Sequence, residues 1–159
     1  MTRKRRLAIA LVALWLGMML FLSFVVPPAV FGSVGRRDAG RIMARVFPPY
    51  YAASLVLPAA ALLALLPEAS RSRSARATSV ILTVAVGAAG ANAFVIRPRI
   101  DRAMALMEAP AGITNAEITA AFARLHVVSV GVVIVLMGLA LAALAVELAA
   151  RPQEPPPSS

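Results

Sequence analysis

Cysteine is absent from this chain of 159 residues, histidine and lysine each occur once, and acidic side chains number only seven. Without cysteine there is no disulfide, no thiolate metal site and no thiol nucleophile, and one histidine leaves a multi-histidine metal centre short of ligands. The scarcity of carboxylates removes most acid–base catalytic pairs, so the chain reads as non-enzymatic, with no cofactor and no metal. His126 with Met18, Met19 or Met137 as haem ligands, and Met104 with Met107 as a copper pair, are outweighed by the ordinary use of methionine in apolar packing.

What the chain does have is oil. Apolar residues make up 60% of it and the mean hydropathy is +0.83. Four uncharged runs, Leu7 to Val26, Tyr50 to Leu66, Ala77 to Ile96 and Val127 to Val146, are each about 17 to 22 residues long, which as helix spans a bilayer. The reading is all-α: an integral membrane four-helix bundle with short interfacial helices in loops 1 and 3. Residues 1–6 form a basic tail, 7–149 the four-span domain and 150–159 a proline-rich tail expected to be disordered. The first run is too long for a signal-peptide core and is read as a retained span.

The net charge of +9 does not point to nucleic acid, because the arginines sit at the ends of apolar runs, where cations meet headgroups. The expected partners are the lipid bilayer and a second copy or another membrane protein. Arginine abundance, with alanine and proline, hints at a bacterial source. Cations divide evenly between the two sides, yet Arg3, Lys4, Arg5 and Arg6 crowd the first six residues and Arg71, Arg73 and Arg76 a short second loop. By the positive-inside rule both termini face the cytoplasm of a bacterial inner membrane, with loops 1 and 3 outside.

In loop 1, Arg37, Arg41 and Arg45 recur every four residues, as on a short surface helix that Pro48-Pro49 ends. In loop 3, Pro98 can open a helix to about Ala109. Thr114-Asn115-Ala116-Glu117 is a capping-box pattern, starting a helix of about 30 residues that contains the fourth span.

The candidate site follows from connectivity. Asn92, near the end of span three, carries an amide that needs partners in lipid. His126 and Ser129 open span four on one face at the same membrane side, with Arg97 nearby and Tyr50 and Tyr51 opening span two. Such a cluster is expected to bind a small ligand or a partner, with anion binding or proton relay as its chemistry. A transporter, an enzyme using His126 as acid or base and an assembly subunit without a site are the rival readings. Gly87 and Ala91, four apart, read as a close-packing face. Trp15, in the middle of span one, is expected to give its indole N–H to a partner in the bundle. Pro58 reads as a packing kink, and Glu147 as a carboxylate snorkelling into water with no chemistry assigned.

Together, Leu14-Trp15-Leu16-Gly17, Pro28-Ala29-Val30-Phe31, Ala39-Gly40-Arg41, Asn92 to Pro98-Arg99-Ile100 and Phe122-Ala-Arg-Leu125-His126 with Ser129 resemble the transmembrane protein 205-like family, four-span proteins of unknown function. The resemblance covers roughly residues 8 to 148 and marks Trp15, Gly17, Pro28, Phe31, Arg41, Asn92, Pro98, Arg99, His126 and Ser129. The resemblance implies four spans and a membrane location and almost nothing about activity; Arg41 and Arg99 join Asn92, Arg97, His126, Ser129 and Tyr50 as candidate ligand-binding residues. Met18 departs from the pattern, where a small residue often follows the glycine. A second resemblance, to anthrone-oxygenase-like membrane proteins, breaks at Ser129 and Arg99, so no catalysis carries across.

Overall fold

Alanine, leucine and methionine favour helix intrinsically, and a backbone crossing lipid must satisfy its N–H and C=O groups within its own segment. Both conditions hold along nearly the whole chain. The computed structural model describes residues 2–108 and 116–150. Within them run α1 (Arg3–Phe24), α2 (Val26–Ser33), α3 (Arg36–Ala69), α4 (Arg73–Ala91), α5 (Arg97–Glu108) and α6 (Ala116–Ala149), with a π turn at Asn92–Ile96 carrying α4 directly into α5. No strand occurs among the described residues. Four stretches, Arg3–Ser33, Arg36–Ala69, Arg73–Met107 and Ala116–Ala149, are long and apolar enough to cross a membrane.

The long helices α1, α3, α4 and α6 close a ring in which each packs against two others, α1 on α3 and α6, α4 on α3 and α6. Their shared core is Val12, Trp15, Met19, Ala61, Leu65, Leu82, Ala85, Leu136, Ala140 and Ala143. Outward faces are apolar too, with Leu14, Leu63, Val80, Phe94, Ile134 and Leu148 all exposed. A helix that is hydrophobic all round is at rest only in an apolar surrounding. The four apolar helices therefore suggest a membrane protein.

Three sequence expectations change. Pro48-Pro49 does not end a surface helix: α3 runs 34 residues through Pro48, Pro49, Pro58 and Pro67. The first two prolines leave the carbonyls of Ala44 and Arg45 without helical donors, and these lie toward the helix end, where water can serve them. The separate short helix of loop 1 is α2, opened by Val26-Pro27-Pro28, where proline suits the first turn. The loop 3 helix exists as α5 but is continuous with α4. The unbroken fourth helix is present, 34 residues from Ala116. Thr114 and Asn115 of the capping box and the tail from Arg151 lie outside the described residues.

Pro58 is fully buried in the core, as a packing residue. Trp15 is buried, but its Nε1 has no hydrogen-bond partner among the described residues, contrary to expectation. Gly87 and Ala91 point outward, away from every other helix of the chain, and a Cβ on Gly87 would meet nothing within 4 Å. The inward face of α4 is set by Ala75, Thr78, Ser79, Leu82, Ala85 and Ala89, and position 87 falls on the opposite side of a 3.6-residue turn. Gly17 is likewise exposed with open space around it. Gly87→Ala is therefore expected to raise stability by about 0.5–1 kcal/mol through helix propensity. Unfolding by sodium dodecyl sulfate titrated into mild-detergent micelles checks it; destabilisation instead would mean that a second chain packs on this face.

Candidate functional site: a pocket beneath a polar chain

The π turn is the local device that builds the site. Pro98 has no N–H, and its ring would clash with the carbonyl of Phe94 in a regular helix. Just before it the helix widens, and the Arg97 N–H bonds to the Asn92 carbonyl, five residues back. Such turns recur at functional sites because they re-aim side chains. Here Asn92 is 2% exposed and faces inward.

Ser129 Oγ donates to Asn92 Oδ1 at 2.9 Å. The serine proton is thereby committed, so the 3.4 Å approach of Tyr51 is one in which the phenol donates to Ser129 Oγ. The resulting chain, Tyr51 to Ser129 to Asn92, ties α3, α6 and the π turn together. Hydrogen bonds in series polarise one another, and in an apolar interior each unmade one is costly.

Arg97 lies beside this chain. Its guanidinium sits 5.1 Å from the centre of the Phe47 ring and 5.7 Å from that of Tyr51. Its Nη2 and Nε reach the two carboxylate oxygens of Asp101 at 2.7 and 3.0 Å. A planar guanidinium is suited to both contacts at once. The arginine is therefore neutralised by a neighbour one turn away and covered by two aromatic faces. His126 is exposed and stacks on Phe122, ring centres 5.9 Å apart and nearly parallel.

These groups border a cavity of about 570 Å³. Ser23, Tyr51, Arg97, His126 and Ser129 give it a polar band; Leu22, Met43, Phe47, Val133 and Met137 are among the apolar residues that line it on either side. Its lining on α6 runs from Phe122 to Met137, about 22 Å at the helical rise. Phe24, Phe31, Val130 and Ile134 line it and are also exposed, so the cavity reaches the outer surface between the α1–α2 segment and α6.

The expected residues divide clearly. Asn92, Ser129, Arg97, His126 and Tyr50 converge at this end, with Tyr50 buried in the cavity wall and Phe31 at its rim. The hydrogen bond to Ser129 comes from Tyr51 rather than Tyr50. Arg41 and Arg99 are not brought in: both are exposed and outside the cavity lining, Arg41 lying 3.6 Å from Asp38. Pro28 is exposed on α2.

A second polar cluster occupies the other end. Glu147 is not snorkelling: it is 4% exposed and ion-paired to Arg5, whose Nη2 also reaches Ser74 Oγ at 3.0 Å and the Glu147 carbonyl at 3.3 Å. Thr78 Oγ1 donates to Glu147 Oε1 at 2.8 Å. Sequence offered a signal for this, because Ser129, Leu136, Ala140, Ala143 and Glu147 recur at three-, four- and seven-residue steps on the inward face of α6. Eighteen residues separate Glu147 from Ser129, and eighteen separate Ser74 from Asn92. At the helical rise each interval is about 27 Å, close to the thickness of the hydrocarbon layer.

Residues 10–109 match the family described as "Domain of unknown function (DUF4149)". A curated "Uncharacterized protein" of Aquifex aeolicus (strain VF5) is 39% identical over 54 residues, 34% of this chain. The match spans 41% of that relative's length. No solved structure matches the chain.

Proposed function

This chain belongs to the DUF4149 family, and we propose that it is a multi-pass membrane protein that holds a small amphipathic molecule, drawn from one leaflet of the bilayer, in the cavity beneath the Tyr51–Ser129–Asn92 chain. The observation that carries the reading is the division of that cavity. Its few polar side chains, Ser23, Tyr50, Tyr51, Arg97, His126 and Ser129, gather in one band, and the α6 wall beyond Ser129, formed by Val130, Val133, Ile134 and Met137, is apolar for about 12 Å. Apolar cavities with a few convergent polar groups are the usual form of small-molecule sites.

The head group is neutral and hydrogen-bonding. Arg97 already spends its charge on Asp101, so a free anion would have to displace a carboxylate one turn away. A hydroxyl needs no such exchange: it can donate to the Tyr51 oxygen, whose own proton goes to Ser129, and accept from a His126 ring N–H. Transport has less support, because the interior between the two polar clusters is lined by Val12, Trp15, Met19, Leu82, Leu136 and Ala140. A crossing solute needs polar groups near the midplane. Catalysis by His126 has less support as well, since its ring neighbour is Phe122. The likeness to transmembrane protein 205-like proteins agrees with four spans and supplies no activity. In the orientation proposed here, that of a bacterial inner-membrane protein with both termini cytoplasmic, the cavity lies at the periplasmic face.

The test is lipid binding by the purified full chain in detergent, followed by native mass spectrometry with monoolein as the neutral probe and palmitate as the anionic one. Monoolein is expected to bind in preference to palmitate. Val133→Trp, which fills the cavity, is expected to weaken monoolein binding by about tenfold, or some 1.4 kcal/mol. Equal binding to wild type and Val133→Trp would overturn the site; stronger binding of palmitate would overturn the neutral head.

A further inference from the structure

At the end of the bundle that holds Arg5 and Glu147, the cations greatly outnumber the acids. Arg3, Lys4, Arg5, Arg6, Arg71, Arg73 and Arg76 gather there, against Glu68 and Glu147. Glu147 is committed to Arg5 and Thr78. Arg73 and Arg76 form no ion pair among the described residues, and both are exposed. They stand three residues apart on α4, so they share a face. Directly below them on that face the side chains are Ala77, Val80 and Ile81, and the five residues together border an open concavity of about 650 Å³. Below these the same helix stays apolar and exposed at Val84.

From this juxtaposition, we infer that the outer face of α4 is a binding site for an anionic phospholipid, its phosphate held between Arg73 and Arg76 and its acyl chain lying along Ala77, Val80 and Val84. Two features make the fit. Two uncompensated guanidinium groups match a phosphodiester, which planar N–H forks bind well. The apolar stripe starts within one turn of them, so head and chain are served by one helix face. At the other end Arg41 lies beside Asp38 and Arg97 holds Asp101. The site is separate from the cavity, lying on a different helix face and at the opposite end of the spans.

The experiment uses the full chain in detergent with phosphatidylglycerol and phosphatidylcholine as competing probes, read by native mass spectrometry. Wild type is expected to retain phosphatidylglycerol preferentially. The double variant Arg73→Gln/Arg76→Gln is expected to weaken that retention by roughly tenfold to thirtyfold, and phosphatidylcholine binding is expected to stay unchanged. The variant Arg36→Gln/Arg37→Gln, which removes two exposed cations from the opposite end, is expected to bind as wild type does. Retention by the Arg73/Arg76 variant equal to wild type overturns the site. An equal loss in the Arg36/Arg37 variant overturns it too, by showing that overall charge alone is felt. Displacement of phosphatidylglycerol by millimolar inorganic phosphate also overturns it, since the acyl chain would then contribute nothing.

Discussion

Glu147→Ala is expected to destabilise the bundle by about 3–5 kcal/mol, and Arg5→Ala by a similar amount. The side chains of Glu147 and Arg5 are only 2% and 17% exposed, so removing either leaves the other charge buried without its counterion. The loss has a second part. Arg5 reaches both α4, through Ser74, and α6, through the Glu147 carboxylate and carbonyl, so the N-terminal turn of α1 is fastened to two helices by one side chain. Thr78 loses its acceptor when Glu147 goes. The double variant Arg5→Met/Glu147→Leu tests the cause, because a buried ion pair replaced as a unit by apolar groups is often neutral or stabilising. It is expected to recover most of the loss when unfolding is followed in mixed micelles. A double variant as unstable as either single one would show that shape, not uncompensated charge, sets the cost.

Trp15→Ala is the second large effect, expected at about 3 kcal/mol in the same assay. Trp15 is wholly buried in the core that α1, α3, α4 and α6 share. Large-to-small changes of this kind cost about 3–5 kcal/mol in water-soluble proteins. The lower end applies here because an unfolded span keeps its side chains in lipid, so the cost is lost packing without most of the water-transfer part. Trp15→Phe separates packing from polarity. The indole N–H has no partner to lose, so phenylalanine is expected to cost less than half as much as alanine. Equal costs for the two variants would mean that the N–H is bonded after all.

The site was partly legible before folding, for a reason particular to lipid. Asn92, His126, Ser129 and Arg97 could be placed at one level because spans alternate in direction and each has a fixed rise per residue. Which of them touch is a matter of azimuth. The widened turn before Pro98 sets where Asn92 faces, and the phase of α3 brings Tyr51 to Ser129 while Tyr50 faces the cavity wall. Gly87 and Ala91 have the spacing of a packing motif, yet the face of α4 that turned inward is the one bearing Thr78, Leu82 and Ala85. Pro48-Pro49 carries a strong stop signal by the rules for water, and α3 continues through it.

Composition and the lengths of the apolar runs were enough to determine four helices able to cross a bilayer, a long final helix, and the level of each polar residue, since those depend only on rise per residue and on the cost of exposing backbone to lipid. Tertiary packing decided the rest: that Glu147 turns inward to Arg5, that Arg97 is neutralised by Asp101 over two aromatic rings, and that a cavity remains beneath Ser129. In a chain whose helices are oily on every side, hydrophobicity no longer distinguishes inside from outside. The rotation of each helix is then set by a few polar contacts and by shape, and these exist only once the helices have met.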